Sequence, residues 1–448
     1  MSRASTAQAW IAEHLPKLTA VHKVPGAQVA VLVDGEVVDA AAGVVNRATG
    51  VPVTPDAVFQ IGSITKVWTA TLIQQLANEG RLDLDRPVRQ YLPEFALADE
   101  HAAATVTVRQ LLCHTSGVEG DRFTDTGAND DAIELYLPTL ADAEQLYPPG
   151  EQFSYCNSGY VVLGRLVEVL SEQTFNAALR EHLIAPLGLA HVATHVGEAI
   201  LELPAIGHLG PDSQPAPVYG LPPSTAPAGA ALAMPARSLL GFVQLHLDER
   251  AFDVMRETQV TAPPLGALGD RWGLGWMLYD QPERSMIGHD GGTIGQYAFL
   301  RVVPEAGVAV AVLTNGGDAA ALFQDLGGHL LGELADARLP ALPRVPEQPA
   351  PVDAHRATGT YRSTLLDFDL TVHDDGTTSL TTTPRTSEAR VLLGKDSITQ
   401  QLVGLGPDRL ITVEERAGRH EVFVLIGKDA DGRAQYLHNS RAAARFTG

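Results

Sequence analysis

Two patterns of apolar positions open the chain. Apolar side chains recur at helical spacing over residues 5–22, which predicts a helix. The apolar runs AQVAVLVDG and EVVDAAAG follow, and the dipeptide Asp34-Gly35 between them is typical of a tight hairpin turn. The chain is therefore predicted to begin with a helix that leads into an antiparallel hairpin.

Helical spacing returns in the middle of the chain, from Ser63 to about Gly188. The segment 197–235 is rich in Pro, Gly and Ala and has no amphipathic period, so it predicts an irregular surface loop. After this segment, the runs WGLGWMLYD, AFLRVVPEAG and VAVAVLTNGG predict three strands that complete the sheet begun by the hairpin. A helical insert therefore splits one antiparallel sheet.

A proline-rich segment, LPALPRVPEQPAPVD, is typical of a semi-rigid linker. Beyond it, short alternating runs broken by turns such as Asp375-Gly376 predict a small antiparallel barrel or sandwich. The fold class expected is α+β, with a helix-flanked antiparallel sheet followed by a small β domain. The predicted boundaries are 1–338 for the first domain, 339–353 for the linker and 354–448 for the second domain.

Composition narrows the classes of function. The chain has 448 residues, of which 45% are hydrophobic and 19% charged, as expected of a globular protein with a sizeable core. A net charge of −21 disfavours nucleic acids and anionic lipids as partners. The N-terminal segment MSRASTAQAWIAEHLPKL lacks the apolar core of a secretory signal, and no run approaches the ~20 apolar residues of a membrane span. We expect a cytoplasmic protein that binds neither nucleic acid nor membrane.

The first candidate chemistry is Ser63-Ile64-Thr65-Lys66, at the start of a predicted helix that ends at Gly80. Free backbone N–H groups at a helix N-terminus favour negative charge on the Ser63 oxygen. A spacing of three residues places the Lys66 amine on the same face, and a lysine in a partly dry pocket can act as a base. The same residues also fit an ordinary N-cap followed by a surface lysine, so the motif needs partners.

The second motif, Tyr155-Cys156-Asn157, lies in a loop before a predicted helix. A tyrosine hydroxyl beside a cationic lysine is expected to have a lowered pKa and to shuttle a proton. The Asn157 amide can hold both a lysine and a substrate carbonyl. The alternative is a buried tyrosine followed by a helix-capping asparagine.

The third motif, His289-Asp290-Gly291-Gly292, enters the strand-like run TIGQYAFLRVV. Its paired glycines let a substrate backbone lie close to the strand edge. The N–H group of Gly292 and that of Ser63 could form an oxyanion hole. Taken alone, His289 also fits an ordinary loop histidine.

Together the three motifs resemble the serine β-lactamase and penicillin-binding-protein superfamily, especially its class-C-like esterase and peptidase branch. That family shows SxxK, then YxN, then a strand motif of KTG or HxG type. The flanking phrases LLCHTSGV, PPGEQFSYCNSGYVVLG and WGLGW are similar to the family as well, and the resemblance covers about residues 8–335. It implies a β-lactamase/transpeptidase-like fold, a serine acyl-enzyme, and no cofactor or metal. The implied roles are Ser63 as nucleophile, Lys66 and Tyr155 as proton-transfer pair, and Asn157, His289 and Gly292 around the substrate.

Two positions depart from the family pattern. His289 stands where true β-lactamases and transpeptidases carry a lysine, so a fixed positive charge is missing at neutral pH. This favours esterase, amidase or acyltransferase activity over efficient β-lactam hydrolysis. Cys156 replaces the usual serine of the second motif and is interpreted as a packing change, and both Cys113 and Cys156 are expected to be buried free thiols.

The second domain resembles the lipocalin-like β domain of some family members. These include D-aminopeptidase-type hydrolases, esterases and the penicillin-binding-protein-type thioesterases that cyclise nonribosomal peptides. In the cyclases a C-terminal arginine is thought to meet the substrate carboxylate. The tail SRAAARFTG offers Arg441 and Arg445 for this role, and we assign it to Arg445; a solvated basic tail is the alternative.

The leading prediction is a serine hydrolase or acyltransferase that forms an acyl-enzyme on Ser63. Its donor is expected to be a small-molecule or peptide ester, thioester or amide, carrier-bound donors included. Three alternatives stay open: a thioesterase that releases and macrocyclises a nonribosomal peptide, a D-amino-acid peptidase or weak β-lactamase, and a non-catalytic binding protein. The acyl acceptor and the oligomeric state are also left open.

Overall fold

The computed structural model describes residues 2–266, 268–280, 284–416 and 418–447. Several helices begin at polar caps: the Ser2 side chain accepts the Ser5 N–H group, and Thr107 forms a capping box with Gln110. Over the described residues the α-helices are α1 (Arg3–Val21), α2 (Thr65–Asn78), α3 (Glu100–Thr105), α4 (Val108–Leu112), α5 (Ala132–Tyr136), α6 (Asn157–Ser171), α7 (Phe175–Leu179), α8 (Val196–Ala199), α9 (Ala236–Asp248), α10 (Ala319–Ala335), α11 (Ala354–Ala357) and α12 (Ser387–Leu393).

The strands fall into a large sheet, a barrel and two short ribbons. The strands before the barrel are β1 (Gly26–Val33), β2 (Glu36–Asn46), β3 (Val51–Pro52), β4 (Phe59–Gln60), β5 (His208–Leu209), β6 (Gln214–Pro215), β7 (Ala233–Met234), β8 (Val260–Thr261), β9 (Arg271–Trp272), β10 (Met277–Tyr279), β11 (Met286–Gly292), β12 (Tyr297–Val303) and β13 (Val308–Thr314). The barrel strands are β14 (Gly359–Arg362), β15 (Leu366–Val372), β16 (Thr378–Pro384), β17 (Ile398–Gly406), β18 (Arg409–Thr412), β19 (Val422–Ile426), β20 (Tyr436–Asn439) and β21 (Arg441–Arg445).

The large sheet has nine strands in the order β3-β2-β1-β13-β12-β11-β10-β9-β8. The predicted turn joins β1 to β2, with Asp34 and Gly35 at φ 54° and 77°. β1 pairs with β13, placing Ala27 opposite Thr314, so the first hairpin and the late strands share one sheet. One face packs on α1 and α10, and the other packs on α2, α6 and α9. The predicted split sheet with a helical insert is confirmed.

The second unit is a closed eight-stranded antiparallel barrel that runs from β14 to β21. It follows the proline-rich segment 339–353, in which Ala350 forms an isolated bridge with Gly404. Together the sheet and the barrel confirm the predicted fold class. None of the helices in the described part of the chain is long and apolar enough to cross a membrane.

The prediction of a surface loop over residues 197–235 is wrong for its second half. Residues 224–234 are buried, and 223–228 form a 3₁₀ helix against α6. A Cβ added at Gly164 of α6 would lie 2.1 Å from Pro227 Cγ, so the two elements meet without room for a side chain. Small Ala, Gly and Pro residues, which suggested a solvated loop, here permit close packing.

Candidate active site

Ser63 lies in a 3₁₀ turn, Gly62–Ile64, that leads directly into α2. Gly62 has φ 52°, and a Cβ there would lie 2.6 Å from the Gly292 nitrogen. Gly229 has φ 123°, and a Cβ there would lie 2.8 Å from the Ser63 nitrogen. Glycines therefore let two backbone segments from distant parts of the chain approach the turn that carries Ser63.

Lys66 is completely buried beside this serine, with 0% exposure. Its Nζ lies 3.1 Å from Ser63 Oγ, donates a hydrogen bond to the Ala228 carbonyl at 2.5 Å, and sits 4.8 Å above the Tyr155 ring. Burial, followed by the positive charge of Arg441, lowers the pKa of Lys66 well below its ordinary value. A neutral amine at this distance is suited to accept the proton of the Ser63 hydroxyl.

Tyr155 is contacted by both the sheet unit and the barrel. Its ring stacks on His114 with centroids 4.2 Å apart, and its N–H group donates to the Ser440 carbonyl at 2.9 Å. Its buried hydroxyl has no hydrogen bond of normal geometry within the described residues. Burial raises the pKa of Tyr155, and Ser63 and Arg441 offset this only in part. The expected lowering of this pKa is therefore wrong, because desolvation outweighs the nearby charges, and the phenol stays protonated.

Asn157, expected in the loop before a helix, is the first residue of α6. Its Nδ2 donates to Asp121 Oδ1 at 2.7 Å, and no hydrogen bond joins it to Lys66 in the described part of the chain. Asp121 also forms an ion pair with Arg441. Asn157 therefore anchors a carboxylate and an arginine at the edge of the site.

Cys156, rather than Asn157, caps helix α6. Its Sγ accepts the Gly159 N–H group at 3.2 Å. Burial raises the pKa of Cys156 to about 12, so its thiol is a poor nucleophile at neutral pH. Cys113 and Cys156 are both free and buried, which confirms that prediction.

His289 is fully buried on β11. The sequence placed His289 at the entry to the strand TIGQYAFLRVV. In the structure His289 lies within a separate strand, β11, and most of that run forms the neighbouring strand β12. Nδ1 lies 2.6 Å from the Asp290 carbonyl, and Nε2 is buried without a partner among the described residues. Burial, then the nearby Lys66, lowers the pKa of His289 to about 3. The ring is therefore neutral at pH 7.

The two glycines that end β11 lie against the Ser63 turn. A Cβ added at Gly291 would fall 1.9 Å from the Ile61 carbonyl oxygen and 3.2 Å from the Ser63 nitrogen. The backbone of Gly292 lies next to the same turn, as its approach to Gly62 requires. The backbone N–H groups of Ser63 and Gly292 therefore lie close together, as the two donors of an oxyanion hole must.

The barrel contributes directly to this site. Ser440 and Arg441, at the turn from β20 to β21, and Arg419 line a pocket of about 300 Å³. The Arg441 guanidinium lies 4.8 Å above the Tyr155 ring, on a side chain that is 40% exposed. From the sheet unit the same pocket is lined by Ser63, Tyr155, His289, Asp290, Gly291 and Gly292.

The structure does not bring Arg445 to the site. Its guanidinium donates to the carbonyls of Ala434 at 2.5 Å, Thr358 at 2.8 Å and Arg356 at 2.9 Å. These bonds tie together the opposite end of the barrel. Arg441, the other arginine of the tail, is the one that reaches the pocket, so the assignment to Arg445 is corrected.

Sequence reasoning missed three further contributors. His114 accepts the Cys156 N–H group at 3.0 Å and stacks on Tyr155, and it lies within the quoted phrase LLCHTSGV. Asp121 holds Asn157 and Arg441, and Ala228 holds Lys66. The phrase around His114 was a usable signal, whereas nothing local distinguishes Asp121 or Ala228.

Comparison with known proteins identifies the class to which this fold and site belong. The model of the Beta-lactamase family matches residues 11–331. The chain therefore belongs to the beta-lactamase family, which confirms the resemblance inferred from the motifs. Penicillin-binding protein 4 of Amycolatopsis lactamdurans is 43% identical over 366 residues, covering 78% of this chain and 96% of that protein.

Solved structures extend the likeness over the barrel. The crystal structure of SurE with D-Leu matches with a TM-score of 0.74 and 28% identity, covering 99% of this chain and 100% of that one. The octameric penicillin-binding protein homologue from Pyrococcus abyssi matches with a TM-score of 0.64 at 23% identity, covering 94% and 96%, and shows the fold alone. Family and fold place the chain among the serine hydrolases and acyltransferases of this superfamily.

Proposed function

We propose that this protein forms an acyl-enzyme on Ser63 and transfers the acyl group of a peptide-like thioester, ester or amide to water or an amine. The observation that carries the proposal is the buried Lys66 amine, 3.1 Å from Ser63 Oγ and held by the Ala228 carbonyl. Burial lowers the pKa of this amine, which favours its neutral, proton-accepting form beside the serine.

In the acylation step, the Ser63 oxygen bonds to the substrate carbonyl carbon while its proton passes to Lys66. The N–H groups of Ser63 and Gly292 bind the oxyanion of the tetrahedral intermediate. Collapse of the intermediate breaks the bond to the leaving group, which takes a proton from the Tyr155 hydroxyl. The Lys66 ammonium then returns a proton to Tyr155. Deacylation repeats these steps in reverse, with water or an amine in place of the leaving group.

The charges around the pocket favour a donor other than a β-lactam. His289 is neutral at pH 7, so the strand position that carries a lysine in true β-lactamases offers no cation. The cation near Ser63 comes instead from the barrel, and Arg441 is suited to bind a substrate carboxylate. We assign to Arg441 the role that the sequence suggested for Arg445.

A second candidate function is release and macrocyclisation of a carrier-bound nonribosomal peptide. The appended barrel favours it, as the resemblance to peptide cyclases implies, and the similarity to SurE over 99% of this chain adds a D-residue, since that structure was solved with D-Leu. The acyl residue would then be a D-amino acid, and the acceptor would be the amine at the other end of the same peptide.

A fluorophosphonate probe tests the acyl-enzyme. We expect intact-mass analysis to show one adduct on the wild-type protein and none on Ser63→Ala. Ser440→Ala is the matched control, because it removes another serine hydroxyl that lines the same pocket, and it should label like the wild type. Absence of labelling in the wild type, or undiminished labelling of Ser63→Ala, contradicts the proposal.

Peptidyl thioesters that differ only in a C-terminal D-Leu or L-Leu test the second candidate. We expect faster thiol release from the D-Leu donor and a cyclic product that is lighter than the linear acid by one water. If only linear acid forms across varied peptide sequences, macrocyclisation is excluded while the acyl-enzyme on Ser63 stands.

A further inference from the structure

A second cavity, of about 280 Å³, occupies the end of the barrel that faces the sheet unit. The opposite half of the barrel is filled by buried side chains of Leu370, Leu380, Leu402, Leu410 and Leu425. The interior of an eight-stranded barrel is just wide enough to be filled by side chains or to hold one small ligand. This barrel is filled in one half and open in the other. The open half is lined by Leu366, Phe368, Leu393, Ile398, Phe423 and Leu437.

Two of the polar side chains that line this cavity are buried and lack partners. Gln400 and Thr382 line it and are only 6% and 7% exposed. Neither side chain makes a hydrogen bond within the described part of the chain. Their polar atoms are open to the cavity rather than sealed inside the protein, so they are available to a ligand that carries a polar atom.

The barrel cavity and the active-site pocket share two walls. Tyr155 and Arg441 line both, so the two spaces meet at the proposed proton donor. Two of the carboxylates that line the cavity have partners: Glu119 bonds to Thr364, and Asp121 pairs with Arg441. Glu421 and Arg416 line the cavity as well, so its wall carries charges of both signs. An uncharged group therefore enters without displacing the partner of Glu119 or Asp121.

The position of Tyr155 decides which part of a substrate faces the barrel. If Tyr155 protonates the leaving atom, as the proposed function holds, that atom lies within hydrogen-bonding reach of its hydroxyl. The atoms beyond it then extend toward the side of Tyr155 that lines the barrel. Acyl acceptors approach along the same path, because deacylation reverses acylation.

We propose that the open half of the barrel is a binding subsite for an apolar group on the leaving-group side of the scissile bond. The group fits best if it also carries one amide or hydroxyl, which Gln400 and Thr382 can bind. An engineered cavity of about 150 Å³ lined by apolar side chains already binds benzene. The barrel cavity, at about 280 Å³, is large enough for a group bigger than a benzene ring. This inference rests on the proposed acyl-enzyme.

Phenylacetyl thioesters of ethanethiol, butanethiol, hexanethiol and octanethiol test the subsite, because the acyl group stays the same while only the leaving thiol grows. Each methylene buried favours binding by up to about fourfold. We expect kcat/KM to rise at least tenfold from the ethyl to the hexyl thioester and then to level off. Equal kcat/KM across the series overturns the subsite and leaves the acyl-enzyme standing.

Two substitutions on one barrel strand locate the effect. Thr382→Phe fills the cavity from the inner face of β16, whereas Thr381→Phe places the same ring on the outer face, where Thr381 bonds to Thr399. We expect Thr382→Phe to abolish the dependence of kcat/KM on thiol length. Thr381→Phe should keep that dependence and turn over the ethyl thioester within about twofold of wild type. Similar behaviour of the two variants contradicts the proposal.

A binding experiment separates this proposal from the failure of catalysis. In Ser63→Ala protein, calorimetry should detect the hexyl thioester, and adding Thr382→Phe should weaken its binding at least tenfold. If no thioester acylates wild-type Ser63, the proposed function fails, yet this titration still tests the cavity. If the hexyl and ethyl thioesters bind Ser63→Ala equally, the subsite is excluded whether or not the enzyme turns over.

Discussion

The two ends of the barrel use the same kinds of residue in opposite ways. At the far end, Arg445 donates to three carbonyls, Arg356 donates to the carbonyls of Gly427 and Leu425, and leucines fill the interior. At the near end, Arg441 contacts Tyr155, and the interior is open. Arg441 and Arg445 stand at the two ends of β21, so their position along one strand decides which closes the barrel and which enters the pocket.

The neighbours of each end explain this difference. At the far end, the guanidinium groups of Arg445 and Arg356 satisfy backbone carbonyls. The near end rests on the sheet unit, where the His438 ring lies 3.0 Å from the Phe153 carbonyl. The near end therefore needs no arginine cap, and Arg441 is free to meet Asp121 and a substrate. The arginines of the far end therefore stabilise the barrel, whereas Arg441 at the near end contributes to the candidate active site.

The largest expected effect is a loss of catalytic rate when Lys66, beside the near end of the barrel, is replaced. Lys66→Met removes the base, and we expect kcat/KM for a thioester to fall by about 10²- to 10⁴-fold. In the wild type, kcat/KM should rise with pH as Lys66 loses its proton, below the ordinary lysine range because its pKa is lowered. Lys17→Met, on the exposed face of α1, is the matched control and should leave the rate unchanged. A rate loss below tenfold for Lys66→Met contradicts its role as the base.

The motifs made much of this site predictable. The juxtaposition of Ser63, Lys66 and Tyr155 was predictable because the motifs that carry them are defined by order and short spacing, which a sequence displays directly. The first hairpin was found because an Asp-Gly turn between apolar runs is a local signal. The direction of the Tyr155 pKa shift was not predictable, because it depends on burial by His114 and by the barrel.

Other features were hidden for identifiable reasons. Side chains of a strand alternate between its two faces, so Arg441 and Arg445, four residues apart, point to the same face. Only the way the barrel docks on the sheet unit decides which of them reaches the pocket. The stretch that carries Ala228 and Gly229 has the composition of a loop, because small residues suit both exposed turns and close packing. The sequence also does not show which half of the barrel is open. Leu366 of the open half and Leu380 of the filled half both occupy inward positions of the same apolar alternation.

Packing provides the next largest contrast between the two ends. Leu380→Ala empties a filled position, at 0% exposure, and should lower the free energy of unfolding by about 3 kcal/mol. Leu366→Ala removes the same atoms beside the existing cavity, where they make fewer contacts, and should cost about 1 kcal/mol. Urea unfolding followed by circular dichroism measures both. Equal losses would mean that the two halves are packed alike.

The two arginines should separate activity from stability. Arg441→Ala should lower kcat/KM about tenfold to a hundredfold for a thioester with a free carboxylate, and much less for its methyl ester, since hydrogen bonds to charged groups contribute about 1.5–3 kcal/mol. Arg445→Ala should keep both rates and lower the free energy of unfolding by about 2 kcal/mol, because carbonyls at the far end lose their donor. A loss of carboxylate selectivity in Arg445→Ala, or its retention in Arg441→Ala, reverses the assignment.

The smallest expected effect is a pH dependence at the near end. Burial lowers the pKa of His438 to about 4, whereas an unfolded histidine titrates near 6.5. Between these values the unfolded chain binds more protons, so the contribution of His438 to stability is complete above about pH 6.5 and is lost as pH falls toward 4. His438→Gln can still donate to the Phe153 carbonyl without titrating, so unfolding free energies in urea at pH 7, 6 and 5 should fall less steeply. His355→Gln, exposed at the far end, should follow the wild type, and equal slopes in all three proteins would show that the near-end junction is not pH-sensitive through His438.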